Sequence, residues 1–274
     1  MSEIKLPIEV GNFLLVKLDS AIGAVRGAGR LLLSKSTSKV IIESKGGKDI
    51  VTEMDRASER FIIDYIKARF PRDNFLGEEL GEKTNGDGGR WIIDPIDGTE
   101  NYVHNIPNYT ISIGYEDPDG VLSLGVVFNP CQNELFYAVK DHGAFLNGKP
   151  IQVSQVQDPA LAVSLISPPL LMQEKVSIYF RMMETIFLNT RDMRHFGSAA
   201  LNLCYVACGR ADAYYEFGVK YYDIAAGLVI LTEAGGSYSA FLDSENLLKT
   251  GNIVATNKHL QNWYKKQICS VIGE

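Results

Sequence analysis

Apolar residues near the start of the chain recur at helical spacing. Phe13, Leu14, Leu18, Ile22 and Val25 share one face and predict a helix over residues 9–35. Gly23, Gly27 and Gly29 weaken its helix propensity, so close packing against another element is expected there. Residues 36–50 are polar and glycine-bearing, around Lys45-Gly46-Gly47-Lys48. A second stripe (Ala57, Phe61, Ile62, Tyr65, Ile66 and Phe70) predicts a helix over 55–70 that Pro71 ends. From Trp91 the pattern becomes that of short strands, at 91–93, 110–115, 121–128 and 134–139. Asp119-Gly120 and Asn147-Gly148 mark hairpin turns. This block reads as an antiparallel sheet.

Beyond Ser154 strands and helices mix. Strands are expected at 162–166, 211–217 and 253–255, and helices at 174–187, 198–208, 223–234 and 258–271. Gly235-Gly236 stops the third of these helices. The change of texture divides the chain into an N-terminal α+β lobe (1–153) and a C-terminal α/β lobe (154–274), a mixed α/β protein as a whole. No internal repeat or low-complexity segment is visible.

The 274 residues are 46% hydrophobic and 22% charged, enough for an ordinary core in two lobes. A net charge of −6 argues against a nucleic-acid partner. It suits a phosphate-binding protein only if divalent cations reverse the local field. Cys131, Cys204, Cys208 and Cys269 form no C-x-x-C pair and read as buried, reduced thiols. The start of the chain lacks a cleavable apolar leader, and no window reaches the ~18 apolar residues of a membrane span. A cytoplasmic protein with no membrane partner is expected.

The densest chemistry lies in Trp91-Ile92-Ile93-Asp94-Pro95-Ile96-Asp97-Gly98-Thr99-Glu100-Asn101-Tyr102. An apolar strand delivers Asp94 and Asp97 at its end, and Pro95 halts the ladder between them. Two acids three residues apart can face one ion, with the Ile96 carbonyl beside them. Hard oxygen donors of this kind suit Mg²⁺ or Mn²⁺. Gly98-Thr99 opens a candidate helix whose N–H groups favour phosphate.

Three further stretches have plain structural readings. In Asp49-Ile50-Val51-Thr52-Glu53-Met54-Asp55, Thr52 and Asp55 form a capping box. Gly77-Glu78-Glu79 is an acidic loop. In Tyr221-Tyr222-Asp223-Ile224-Ala225-Ala226-Gly227, Asp223 caps an apolar helix. Their order and company carry more than any one alone.

Together the stretches D-x-V-T-x-x-D, G-E-E, W-x-I-D-P-I-D-G-T-x-N and D-x-A-A-G, with Ala211-Asp212-Ala213-Tyr214-Tyr215-Glu216, span Asp49 to Gly236. They resemble the inositol monophosphatase family, within the wider fold of lithium-sensitive, metal-dependent phosphomonoesterases and fructose-1,6-bisphosphatases. The resemblance implies a layered αβαβα sugar-phosphatase architecture, with an antiparallel sheet in the first lobe and a mixed sheet in the second. It implies that Glu78, Asp94, Asp97, Asp223 and the Ile96 carbonyl hold two or three Mg²⁺ ions, Mn²⁺ being a substitute. Asp55 and Thr99, with Glu78, would form the catalytic set around the attacking water. Gly98 and Thr99, beside Asp97, would cradle the phosphate. Gly197, Ser198, Ala199 and Glu216 would grip a sugar-like ring, and Lys45 matches a basic residue ahead of D-x-V-T. A homodimer and lithium inhibition are further implications.

Inositol monophosphate is the favoured substrate, because Asn101-Tyr102-Val103-His104 follows the D-G-T triplet and Glu216 suits hydrogen bonds to ring hydroxyls. Fructose-1,6-bisphosphatase, nucleotide 3′-phosphatase and histidinol-phosphate phosphatase are alternatives on the same fold. A non-catalytic binding protein is an alternative of another class. Glu100, Lys220 and Tyr222 depart from the usual inositol-phosphatase residues and bear on substrate identity. No Cys, Ser or His nucleophile is needed, so His104 and His195 read as structural, with a contact near the site as the alternative for His104.

Overall fold

The strand that begins at Trp91 lies inside a broad sheet, and the rest of the chain is layered around it. This computed structural model describes residues 12–35, 41–46, 49–169 and 172–273. Helix α1 (Asn12–Lys35) leads to a hairpin of β1 (Ile42–Gly46) and β2 (Asp49–Thr52), then helix α2 (Glu53–Lys67). Next come β3 (Asn74–Gly77), β4 (Gly81–Lys83), β5 (Arg90–Asp97) and the single turn of α3 (Thr99–Val103). Strands β6 (Thr110–Glu116), β7 (Leu122–Asn129), β8 (Glu134–Val139), β9 (Ala144–Leu146) and β10 (Lys149–Ile151) follow. The remainder is β11 (Val163–Ile166), α4 (Val176–Phe187), β12 (Asp192–Arg194), α5 (Ala199–Ala207), β13 (Ala213–Glu216), α6 (Tyr221–Glu233), β14 (Ser237–Ser239), α7 (Leu247–Thr250), β15 (Ile253–Thr256) and α8 (Gln261–Ile272).

The first large sheet runs β10-β9-β8-β7-β6-β5-β3-β4, and the second β12-β11-β13-β15-β14. The first is antiparallel except for one parallel pair, β3 with β5. The second is mixed. Alternation along the strands assigns side chains to layers. Val126 and Phe128 of β7 join α1 and α2 on the outer face, while Val127 between them joins α5 and α6. Tyr214 of β13 and Ala255 of β15 meet α5 and α6 from the other side. Tyr215 and Val254 face α4 and α8. Five layers result, αβαβα, and α6 lies between the two sheets. That position explains why α6 is apolar on nearly every side. It also explains Gly125 in β7, where a Cβ would sit 2.3 Å from the Ala226 carbonyl oxygen.

The structure corrects several expectations. Helix α2 starts at Glu53 because Thr52 caps it, and it ends three residues before the predicted Phe70. Residues 42–52, read largely as loop, form the β1–β2 hairpin. Asp223 is not the cap of α6: the helix starts at Tyr221, and the Asp223 carboxylate reaches back to the Lys220 N–H at 2.6 Å. All four cysteines are free, but only Cys204 is buried: Cys208 and Cys269 are half-buried, and Cys131, in the turn after β7, is exposed. Among the described residues no helix is long and apolar enough to cross a membrane.

The predicted face of α1 is buried at Leu18, Ile22 and Val25 but not at its start. Phe13 is exposed, whereas Lys17 is fully buried. Its ammonium pairs with Asp73 and lies 3.8 Å from the Phe70 ring centroid and 4.6 Å from that of Tyr115. Trp91 Nε1 donates to the same Asp73 carboxylate at 2.7 Å. Burial lowers the Lys17 pKa, and the bond and charge of Asp73 oppose that shift. Removing one partner of a buried pair strands the other charge, so Lys17→Met should cost about 3–5 kcal/mol in urea unfolding. Lys17→Met with Asp73→Asn should cost clearly less.

Candidate active site

Strand β5 is buried from Trp91 to Asp97, because helix α2 covers one face of the sheet there and helix α6 the other. Its register against β6 pairs Asp94 with Ser112 and Asp97 with Thr110, so three steps on β5 oppose two on β6. The extra residue falls at Pro95-Ile96, where proline has no N–H for the ladder. The bulge breaks strict alternation and lets both acids serve one space. On the other side, the parallel register sets Gly77 opposite Ile93, and the Glu78 N–H donates to the Ile93 carbonyl at 3.2 Å. Glu78 is thereby level with Asp94.

Glu78, Asp94, Ile96, Asp97, Gly98, Thr99, Gly197, Ser198, Ala199, Glu216 and Asp223 line one cavity of about 330 Å³. Every site residue expected from the sequence is therefore at its wall except Asp55. That carboxylate is buried behind Thr99, whose hydroxyl lies 3.2 Å from Asp55 Oδ1 and 3.1 Å from the Ile96 carbonyl oxygen. Asp55 Oδ2 accepts from the Thr52 N–H at 2.8 Å and the Thr52 hydroxyl at 2.6 Å, completing the expected capping box. The Lys45 side chain is outside the described residues.

Asp97 is held by protein donors across 100 residues of chain. The Ser198 hydroxyl donates to it, as do the N–H groups of Ala199 (3.1 Å) and Ala200 (2.7 Å) at the start of α5. Gly98 has φ of +97°, and a Cβ there would meet the Gly197 carbonyl oxygen at 2.9 Å, so this tight meeting of two loops requires glycine. The Asn101 amide ties the same loops, donating to the carbonyls of Asn108 at 2.7 Å and Phe196 at 2.6 Å.

The field inside the cavity disfavours ionised carboxylates. Burial raises Asp94 well above the usual carboxylate range, and the charges of Glu78, Asp97, Asp223 and Asp55 push it further. Burial lifts Asp97 to about 6 against the pull of its Ser198, Ala200 and Ala199 hydrogen bonds. Asp223 is raised well above its ordinary value by burial and then by Asp97. Across the cavity, burial lifts Glu216 to about 7, although it accepts from the Tyr214 hydroxyl.

Among the described residues, no three Asp, Glu, His or Cys side chains stand close enough to hold one metal ion as placed. Asp94 Oδ1 accepts from the Ile96 N–H at 3.0 Å, Asp97 from α5 and Asp223 from Lys220, so each carboxylate leans on its own donors. The donor set nevertheless fits a hard divalent cation. It is all oxygen, it faces one cavity, and its mutual repulsion is what a cation relieves.

Sequence reasoning missed Ser58, which bonds the Pro95 carbonyl at 3.1 Å, and Glu59, which bonds the acidic loop. It also missed Thr110, whose hydroxyl lies 3.4 Å from Asp97 Oδ2. Their common signal was faint: Ser58 and Glu59 stand three and four residues after Asp55, on its face of α2. His195, read as structural, lines the cavity with Nδ1 2.9 Å from the Ile166 carbonyl oxygen. His104 is exposed, near Glu100 and away from the cavity wall.

Residues 15–272 match the profile of the Inositol monophosphatase family. "Nus factor SuhB" of Escherichia coli K12 is 37% identical over 243 residues, covering 88% of this chain and 91% of that one. "Fructose-1,6-bisphosphatase/inositol-1-monophosphatase" of Thermotoga maritima is 39% identical over 259 residues, covering 94% and 98%. The crystal structure of extragenic suppressor protein SuhB from Bartonella henselae superposes with a TM-score of 0.88 at 31% identity, covering 92% of this chain and 98% of that one. The family is generally metal-dependent, and membership supports a phosphatase. With its motifs in order, its five layers and its acid-lined cavity, this chain belongs to the inositol monophosphatase family.

Proposed function

We propose that this protein hydrolyses a small phosphate monoester with the help of Mg²⁺, and that inositol monophosphate is its leading substrate. The observation that carries the reading is the convergence of Glu78, Asp94, Asp97 and Asp223 on one cavity that Gly98, Thr99 and Glu216 also line. When bound, Mg²⁺ neutralises the phosphate dianion, acidifies a water and stabilises the leaving alkoxide. Glu78, Asp94, Asp97, Asp223 and the Ile96 carbonyl would hold it, with Mn²⁺ as a substitute.

The chain's own residues then position the attacking water and the substrate. Asp55 orients the Thr99 hydroxyl as acceptor, which leaves the Thr99 oxygen free to take a proton bond from the attacking water. Gly98 and Thr99 face the phosphate, and Gly197, Ser198 and Ala199 close the ring side. Glu216, backed by Tyr214, accepts from ring hydroxyls. The same reading takes the protein to be a cytoplasmic homodimer of two-lobed chains, on the family resemblance. The acidic balance favours a small-molecule partner over nucleic acid.

A second reading, a sugar bisphosphate, is favoured by Lys220. It is the sole Lys or Arg among the described residues lining the cavity. It is available for a second anionic group on the substrate. The double name of the Thermotoga maritima relative points the same way.

Mg²⁺-dependent phosphate release should be fastest from inositol 1-phosphate, slower from fructose 1,6-bisphosphate and slowest from adenosine 3′,5′-bisphosphate. No metal-dependent release from any of them would sink the reading in favour of a non-catalytic protein. Asp94→Asn should lower kcat about 10²–10³-fold, the usual loss for one electrostatic group. Lys220→Met should raise KM for fructose 1,6-bisphosphate about tenfold more than KM for inositol 1-phosphate; an equal effect on both excludes the second reading.

The raised carboxylates also predict a pH dependence. Asp97 at about 6 and Glu216 at about 7 keep protons in the folded state that the unfolded chain releases nearer 4. Their contribution to stability is complete below the unfolded pKa and is lost as pH rises through about 6–7. The melting temperature of the metal-free protein should therefore fall from pH 5 to pH 8 in scanning calorimetry. Mg²⁺ should raise it more at pH 8 than at pH 5.

A further inference from the structure

Glu59 is a fully buried carboxylate that the hydrolysis described above does not use. It lies on α2 one turn beyond Asp55, and its two oxygens accept from successive backbone donors of the acidic loop. Oε2 takes the Glu79 N–H at 2.8 Å, and Oε1 takes the Leu80 N–H at 3.1 Å. Gly77, just before the loop, is pressed against the same group: a Cβ there would lie 1.8 Å from Glu59 Oε1. A methyl group at Gly77 would therefore push the Glu59 carboxylate away from the loop.

A carboxylate suits two converging donors because it only accepts, whereas the amide of a glutamine would set an NH₂ against one of them. Burying that charge opposes ionisation and raises its pKa, and the two N–H bonds work against the shift. Glu79 and Leu80 thus turn their N–H groups inward to Glu59, while Glu78, one residue earlier, lines the cavity. The same helix face holds two other parts of the site. Ser58 bonds the Pro95 carbonyl inside the β5 bulge, and Asp55 meets Thr99. Residues 55, 58 and 59 are i, i+3 and i+4 on one helix, so one element fixes two chain-distant segments, the 79–80 loop and the 95–99 turn, relative to one another.

We propose that Glu59 is a positioning residue for the metal site, anchoring the 77–80 loop so that Glu78 stands beside Asp94. This inference rests on the reading of Glu78 as a metal ligand. Residues that orient ligands in this way typically control affinity by about 10–100-fold.

The test uses the full chain as wild type, Glu59→Gln and Gly77→Ala. The second variant keeps the charge and displaces only the carboxylate, so it serves if Glu59→Gln does not fold. Hydrogen exchange at the Glu79 and Leu80 amides should quicken at least tenfold in both variants without any metal present. Calorimetric titration with MgCl₂ should show about 10–100-fold weaker binding, and the Mg²⁺ concentration for half-maximal activity should rise while KM for substrate changes little. Unchanged exchange, or variant Mg²⁺ affinity within twofold of a wild type that does bind Mg²⁺, would overturn the role of Glu59. A wild type that binds no Mg²⁺ at all would instead overturn the metal reading on which it rests.

Discussion

Like charges must be kept together in a confined space, and most of the distinctive features of this protein answer that constraint. Asp94, Asp97, Asp223 and Glu78 face one cavity, and each raises the cost of ionising its neighbours. Among the described residues, no Lys or Arg is buried among them to neutralise the set. The chain instead supplies oriented N–H and O–H groups. Asp97 receives two amides and a hydroxyl from the start of α5, Asp223 an amide at the start of α6, and Asp55 an amide and a hydroxyl at the start of α2. Helix starts are the natural source of such donors, since their first N–H groups have no partner within the helix. These partial dipoles hold the acids in place without cancelling their charge, which leaves that charge available to a cation.

The layered architecture explains how the helix starts reach the same place. Helices α5 and α6 run between the two sheets, and small residues at the contacts, such as Gly114 and Gly125 against Ala225 and Ala226, let them approach closely. Strand β5 ends at the same edge, where its bulge redirects Asp94 and Asp97. Helix α2 reaches the edge from the outer layer and ties in the Pro95 turn and the acidic loop. The cavity is thus assembled by rigid elements rather than by a long loop. Rigidity of this kind suits electrostatic catalysis, which depends on donors already aimed before the charge develops.

Much of this was legible in the residues themselves. The long helices and the central strands follow from apolar spacing, because amphipathic periodicity reflects which face a layer must bury. The acidic motifs share one cavity, whose wall includes Ile96 and ten of the eleven other residues expected there, with Asp55 behind Thr99. The short elements were not legible. Strands such as β4, β9 and β12 span three residues each, too few for a period to declare itself. Lys17 illustrates a different failure: nothing in its local sequence announces burial, and only Asp73 and the rings of Phe70, Trp91 and Tyr115 from distant segments, with Phe13 one turn away, make its burial tolerable.

Local backbone and side-chain chemistry is enough to read the longer helices and strands, the acids, and the turns at Pro95, Gly98 and Gly235 from the residues. Which donors each acid receives, that Ser58 and Glu59 bond the Pro95 turn and the acidic loop, and that His195 rather than His104 faces the cavity emerge only on folding. Those outcomes depend on contacts between segments far apart in the chain. Their geometry is set by sheet register and helix packing, and a one-residue change in either would send each group to a different partner.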